Sequence, residues 1–146
     1  MMPDEYKLWR PVTGVHGEMY VRRIEEDEGI LRIFLVDRLA APERVLRVTF
    51  PFPLIYRTTR ELYRLRTLAQ LEKAGFPPMP FYIVSNSTWV QWFLEESMSF
   101  VDREGKLTDP IEHYAILTEN DSVDVIAVAP PEMEWQSTGR SGESAT

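Results

Sequence analysis

Cysteine is absent from the 146 residues, which rules out disulfides and thiolate metal sites. Histidine is nearly so: His16 and His113 stand 97 positions apart, and neither lies in an H-E-x-x-H or similar ligand spacing. No apolar run approaches the ~18 residues needed to cross a bilayer. Met1 to Arg10 carries Asp4 and Glu5 where a signal peptide would be basic and then apolar, so a cytoplasmic protein is expected, with no membrane partner. Positive charge is in deficit, 16 Lys+Arg against 23 Asp+Glu for a net charge of -7. That balance opposes nucleic-acid binding, because affinity for phosphate rests on clustered Lys and Arg. Also missing are a Gly-x-Ser-x-Gly elbow and a glycine-rich loop leading into Lys-Ser or Lys-Thr, so neither that hydrolase class nor nucleotide binding has a motif behind it.

What is present describes one acidic domain, 44% hydrophobic and 12% aromatic. A chain of this length buries roughly 70% of the surface of its unfolded form, enough for a core without staples. Residues 1–136 are expected to form this domain, and 137–146, lacking large apolar residues, a disordered tail.

The first half is strand-like. Tyr6–Val12 and Met19–Ile24 flank a loop containing Gly14 and Gly17 and predict a hairpin. After the acidic turn Glu25 to Gly29, Ile30–Val36 is apolar at nearly every position, as an inner strand covered on both sides would be. In Val45–Phe50, Leu46, Val48 and Phe50 alternate with Arg47 and Thr49, the pattern of a half-buried strand. Thr58 and Glu61 have the spacing of a capping box, predicting a helix over 59–73 that Gly75 ends; Tyr63–Leu68 as an extended segment is the alternative.

Phe81–Val84 reads as a buried strand, and Ser85, Asn86 and Ser87 offer N-caps for a helix over Thr88–Met98. That helix is expected to pack on the Ile30–Val36 strand, with Ile33 and Phe93 in the core. Phe100 to Ile111 is a polar connection. Tyr114–Thr118 and Val123–Val128 form a hairpin around Glu119 to Ser122, and Pro130-Pro131 should stop the pairing. The expected fold is therefore α+β, an antiparallel sheet of about six to seven strands with one or two packed α-helices.

Candidate chemistry is sparse. A nucleophile assembled from a serine, His113 and an aspartate competes with the plainer reading of His113 as a polar residue at a strand start. Residues 119–124 carry several oxygen ligands but lack the order that wraps calcium, and are expected to be a solvated turn. No metal site, cofactor or catalytic residue is therefore assigned. Arg57, Arg60 and Arg64, with Arg66, form the one basic cluster, able to grip an anion if helical, or else a solvated face paired with nearby acids. On the helix wheel of 88–98, Trp89 lies in the apolar arc as core. Trp92 projects away from it, either covered by the following loop or presented with Glu95 and Glu96 as an anchor for a protein partner.

Further residues carry a resemblance. The Leu-Arg-Ile-x-Leu and Leu-Arg-Val-x-Phe strands, Tyr56-Arg57 with Glu61 and Tyr63-Arg64-Leu65, Ser87-x-Trp89-Val90-x-Trp92-Phe93-x-Glu95-Glu96-Ser97, and His113-Tyr114-x-Ile116-x-Thr118-x-Asn120-Asp121-x-Val123-Asp124-Val125 occur in that order. From about Ile30 to Pro131 the chain resembles small bacterial proteins, some similar to members of immunity loci that accompany secreted polymorphic toxins. The resemblance implies a small cytoplasmic α+β domain without catalytic residues. The expected function is a non-enzymatic, acidic protein-binding module, in its specific form an immunity protein covering a basic toxin. The alternatives are a small-molecule-binding domain or enzyme with an Arg- and aromatic-lined pocket, and a structural part of a phage or secretion assembly.

Overall fold

The computed structural model describes residues 4–15, 19–37, 39–40, 42–77, 79–98 and 110–136. The expected tail, His16 and most of the polar connection before Ile111 lie outside them. Among the described residues nine strands form two antiparallel sheets, accompanied by two α-helices. The α+β class holds, but the expected single sheet of six to seven strands is replaced by two sheets.

The smaller sheet is built from β2 (Met19–Asp27), β3 (Ile30–Asp37), β4 (Arg44–Phe50) and β9 (Glu132–Gln136), in the order β2-β3-β4-β9. Glu28 and Gly29 join β2 to β3 with φ of 52° and 81°, the two positive values that a two-residue hairpin matching strand twist requires. β3 is an inner strand as expected, with Leu31, Ile33 and Leu35 on the core side and Phe34 and Val36 buried on the other. The alternation in β4 puts Leu46, Val48 and Phe50 inside. Pairing of the strand before Pro130-Pro131 stops at Ala127, as expected, but the chain does not stay unpaired. The chain resumes as β9 beside β4, because a proline outside the ladder removes no ladder hydrogen bond.

The larger sheet has the order β1-β6-β7-β8-β5, with β1 (Glu5–Leu8), β5 (Pro53–Arg60), β6 (Phe81–Ser85), β7 (Glu112–Leu117) and β8 (Asp121–Ala127). Two expectations fail here. β1 pairs with β6 rather than forming a hairpin with Met19–Ile24. The capping box does not form either, since Thr58 lies within β5 opposite Val123; a 3₁₀ turn over Glu61–Tyr63 follows, and the helix α1 spans only Leu65–Lys73. Its end is as expected. Gly75 at φ 88° lets Phe76 N–H reach the Leu71 carbonyl and Gly75 N–H reach that of Glu72, the paired bonds of a Schellman motif.

The two sheets enclose the main core. Phe50 from one sheet meets Tyr114 from the other at 5.5 Å between ring centroids, and Trp9 lies 5.2 Å from Tyr114. Asn120, in the β7–β8 turn, links the sheets by polar contacts: its Oδ1 accepts from Val21 N–H and its amide donates to the Val21 carbonyl, both at 2.9 Å. Val21 begins a bulge in β2, and the side chain satisfies both of its backbone groups. The stretch 119–124 is therefore not the expected solvated turn: Glu119 and Asn120 make the turn and bridge the sheets, while Ser122, Val123 and Asp124 are buried in the strand that follows.

On the outer face of the larger sheet, Leu71, Leu68 and Phe76 cover Tyr82, Val84, Ala115 and Leu117. The helix α2 (Thr88–Ser97) starts on this face, with Trp89 edge-on to His113 at 5.2 Å. It does not pack on β3 as expected. β3 belongs to the other sheet, and His113, not Ile33, meets the helix. Ile33 is fully buried, whereas Phe93 is only half-buried. No helix among the described residues is long and apolar enough to cross a membrane.

Candidate functional site

Three places bring together side chains capable of recognition or chemistry, all fixed by the larger sheet and its helices. The first is a polar network beneath α2. Tyr114 and Ile116 face the core, so His113 of β7 faces outward; in β8, Val123 and Val125 face inward and Asp124 shares the outer face with His113. Ser87 follows β6 and caps α2, its Oγ accepting from Val90 N–H at 3.1 Å, while Asp4 Oδ1 accepts from Thr88 N–H at 2.8 Å. A carboxylate at a helix N-terminus is favoured by the macrodipole.

Ser87 Oγ stands 2.7 Å from His113 Nδ1, and His113 Nε2 stands 2.8 Å from Asp124 Oδ1. Asp124 Oδ2 accepts from Arg64 at 2.9 Å and from Arg57 at 3.3 Å. Burial pushes the Asp124 carboxyl up, but the His113 hydrogen bond and charge, then Arg64 and Arg57, outweigh it and leave its pKa below the ordinary aspartate value. An ionised Asp124 requires a proton on Nε2. In the neutral ring Nδ1 then accepts the Ser87 hydroxyl, whose lone pair serves Val90.

Serine, histidine and aspartate in this order resemble nucleophile, base and orienting carboxylate. The surroundings point elsewhere. Ser87, His113 and Asp124 are all buried, Trp89 covers the imidazole, and none of the three lines the cleft between α1 and this sheet. Arg57 also stacks on Trp89, its guanidinium carbon 4.2 Å from the ring centroid. The network holds the start of α2 to the sheet, with the buried carboxylate of Asp124 compensated by Arg64 and Arg57.

The expected anion-binding cluster is divided by this arrangement. Arg57 and Arg64 converge, but on Asp124, and Arg64 also donates to Ser122 Oγ and the Tyr6 hydroxyl, each at 3.0 Å. Burial raises the Tyr6 pKa. Arg60 is separate: it lies in a strand, not a helix, largely exposed and 3.9 Å from Asp121. Sequence reasoning missed Asp124 as the centre of the network. The signal lay in the β7–β8 hairpin, whose two-residue period puts Asp124 and His113 on one face.

The second place is the outward face of α2. Trp92 is 47% exposed, and Glu95 and Glu96 are exposed at the third and fourth positions after it, so all three share one helix face. The Gln91 amide donates to Glu95 at 3.4 Å. Trp89 is buried as expected, although its neighbours are His113 and Arg57 rather than an apolar core.

The third is a cleft of about 400 Å³ between α1 and the larger sheet, floored by Leu71, Tyr82 and Leu117, with Glu61, Glu72 and Glu119 among its lining residues. Arginine is not among the described residues that line it. Among the described residues no group of three or more His, Asp or Glu side chains is arranged to hold a metal. No protein-family model, curated protein or solved structure matches the chain.

Proposed function

We propose that this chain is a non-enzymatic protein-binding module whose acidic α2 face docks on a basic partner, in its specific form an immunity protein that neutralises a bacterial toxin in the cytoplasm. The observation that carries the reading is the exposed Trp92 flanked by Glu95 and Glu96 on one face of α2. A tryptophan supplies large apolar area at small entropic cost and recurs as a binding anchor, and carboxylates around it complement a basic surface. The net charge of -7 favours the same class of partner, because nuclease toxins are basic where they grip phosphates. The rigid base of α2 supports the reading too. Ser87 and Asp4 cap the helix and Trp89 seats it, so little order is bought at the moment of docking.

The test is inhibition. A toxin encoded beside this chain's gene should lose activity at a one-to-one ratio with the purified protein, and Trp92→Ala should raise the amount needed. Full toxin activity in the presence of excess protein would refute the immunity reading.

A further inference from the structure

A different part of the molecule holds a cleft whose lining combines apolar surface with carboxylates. The cleft between α1, residues Phe76, Pro77 and Met79, and the β7–β8 turn has a volume of about 400 Å³, within the range of pockets that hold small molecules. Its floor is buried and largely apolar: Leu71, Tyr82 and Leu117 are all buried, and the Tyr82 hydroxyl donates to the Pro77 carbonyl at 3.2 Å. An apolar body is what such a floor accepts. Among the described residues the charged lining is of one sign, since Glu61, Glu72 and Glu119 contribute carboxylates and none of the described lining residues is cationic. Glu72 and Glu119 are exposed while the floor is buried, so negative charge stands at the mouth and apolar surface at the bottom.

From this we infer that the cleft binds a small amphipathic amine, with its apolar part against Leu71, Tyr82 and Leu117 and its ammonium group between Glu61 and Glu72. A carboxylate or phosphate ligand would meet like charge at the mouth, and a fully neutral one would gain nothing from Glu61 and Glu72. A free amine is favoured over a lysine-bearing segment of a protein because the cavity is sized for a compact ligand. The site shares no residue with the Trp92 face, so the two readings stand or fall separately.

Three matched probes test it on the full chain: 4-phenylbutylamine, 4-phenylbutanol and 4-phenylbutyrate, titrated by calorimetry and by amide and methyl NMR shifts. The amine should saturate one site, with shifts centred on Leu68, Leu71, Met79 and Leu117. Its affinity should exceed that of the alcohol by about fivefold, the size expected for partly exposed ion pairs, and should fall with salt. The carboxylate should bind most weakly. Glu61→Gln with Glu72→Gln should erase the amine's advantage and leave the alcohol unchanged. Leu68→Trp, which fills the cleft, should abolish binding of all three; the Gln pair decides the matter if that variant does not fold. The proposal is overturned if the amine fails to saturate by about 5 mM, where even weak specific binding is measurable. Equal binding of the carboxylate, survival of the amine's advantage in the Gln pair, or shifts centred elsewhere overturn it as well. If a Lys-Leu-Leu-Lys peptide saturates the cleft and the amine does not, the cleft belongs to a protein partner instead.

Discussion

Asp124 is the residue whose removal should disturb this fold most for its size. Its side chain is fully buried and accepts from His113, Arg64 and Arg57 at 2.8, 2.9 and 3.3 Å. Asp124→Ala strands the Nε2 proton of a buried imidazole and the charge of Arg64, whose side chain is only 12% exposed. Removing one partner from a buried, hydrogen-bonded pair costs about 3–5 kcal/mol, a large part of the ~5–15 kcal/mol that a domain has in total. Asp124→Asn keeps one acceptor oxygen and should cost less, about 1–3 kcal/mol. Arg57→Ala should cost under ~1 kcal/mol, because that side chain is 44% exposed and its charge is screened. Urea titration followed by tryptophan fluorescence gives the three values, and near-ultraviolet dichroism reports Trp89 through its contact with His113. The pH dependence has a defined sign. Because the folded pKa of Asp124 lies below the unfolded value near 3.8, its stabilisation is present above that value and is lost as pH falls through the lower, folded one. Wild-type and Asp124→Asn should therefore converge in stability at strongly acid pH. A loss below about 1 kcal/mol for Asp124→Ala, or a gap unchanged by acid, would refute the network as a structural anchor.

Tyr114 has its phenol pushed up to about 12 by burial, with a smaller contribution from Glu112; ultraviolet titration should show it ionising near there, and stability should decline between the unfolded value of 10 and the folded one. Ile33→Ala, at a fully buried position between the sheets, should cost about 2–5 kcal/mol in denaturant titration, and a loss below ~0.5 would remove it from the core. Asn120→Ala leaves both backbone groups of Val21 without their side-chain partner and should cost about 1–3 kcal/mol, with faster amide exchange at Val21 as the local reporter.

Local patterns in the sequence were a good guide where the physics is local. The alternation of Leu46, Val48 and Phe50, the Ser87 cap, the Gly75 stop and the existence of the β7–β8 hairpin each depend on neighbours within a few residues or one hairpin. Errors arose where distant partners decided the outcome. Lys7 pairs with Ile83, 76 positions along the chain, and no composition of the Gly14–Gly17 loop announces that. Thr58 and Glu61 satisfy a capping pattern, yet Val123 on the neighbouring strand captures Thr58 first, since strand pairing with a core face outweighs a local cap. The Arg cluster was visible in sequence. Its convergence on Asp124 was not, because that depends on β5 and β8 being neighbours in the sheet. Trp92 could be placed off the apolar arc from helical period alone, but its exposure depends on what surrounds α2.

The proposed docking of the α2 face on a basic protein is open to a direct test by surface plasmon resonance with the protein encoded beside this chain's gene. Rim charges govern encounter and a buried anchor governs escape, so the two kinds of residue should separate kinetically. Trp92→Ala should weaken binding by about 2 kcal/mol or more, almost wholly through faster dissociation. Reversing Glu95 and Glu96 to lysine should slow association, most strongly at low salt. A complex whose kinetics ignore all three substitutions, or no complex with any neighbour-encoded protein, would contradict it.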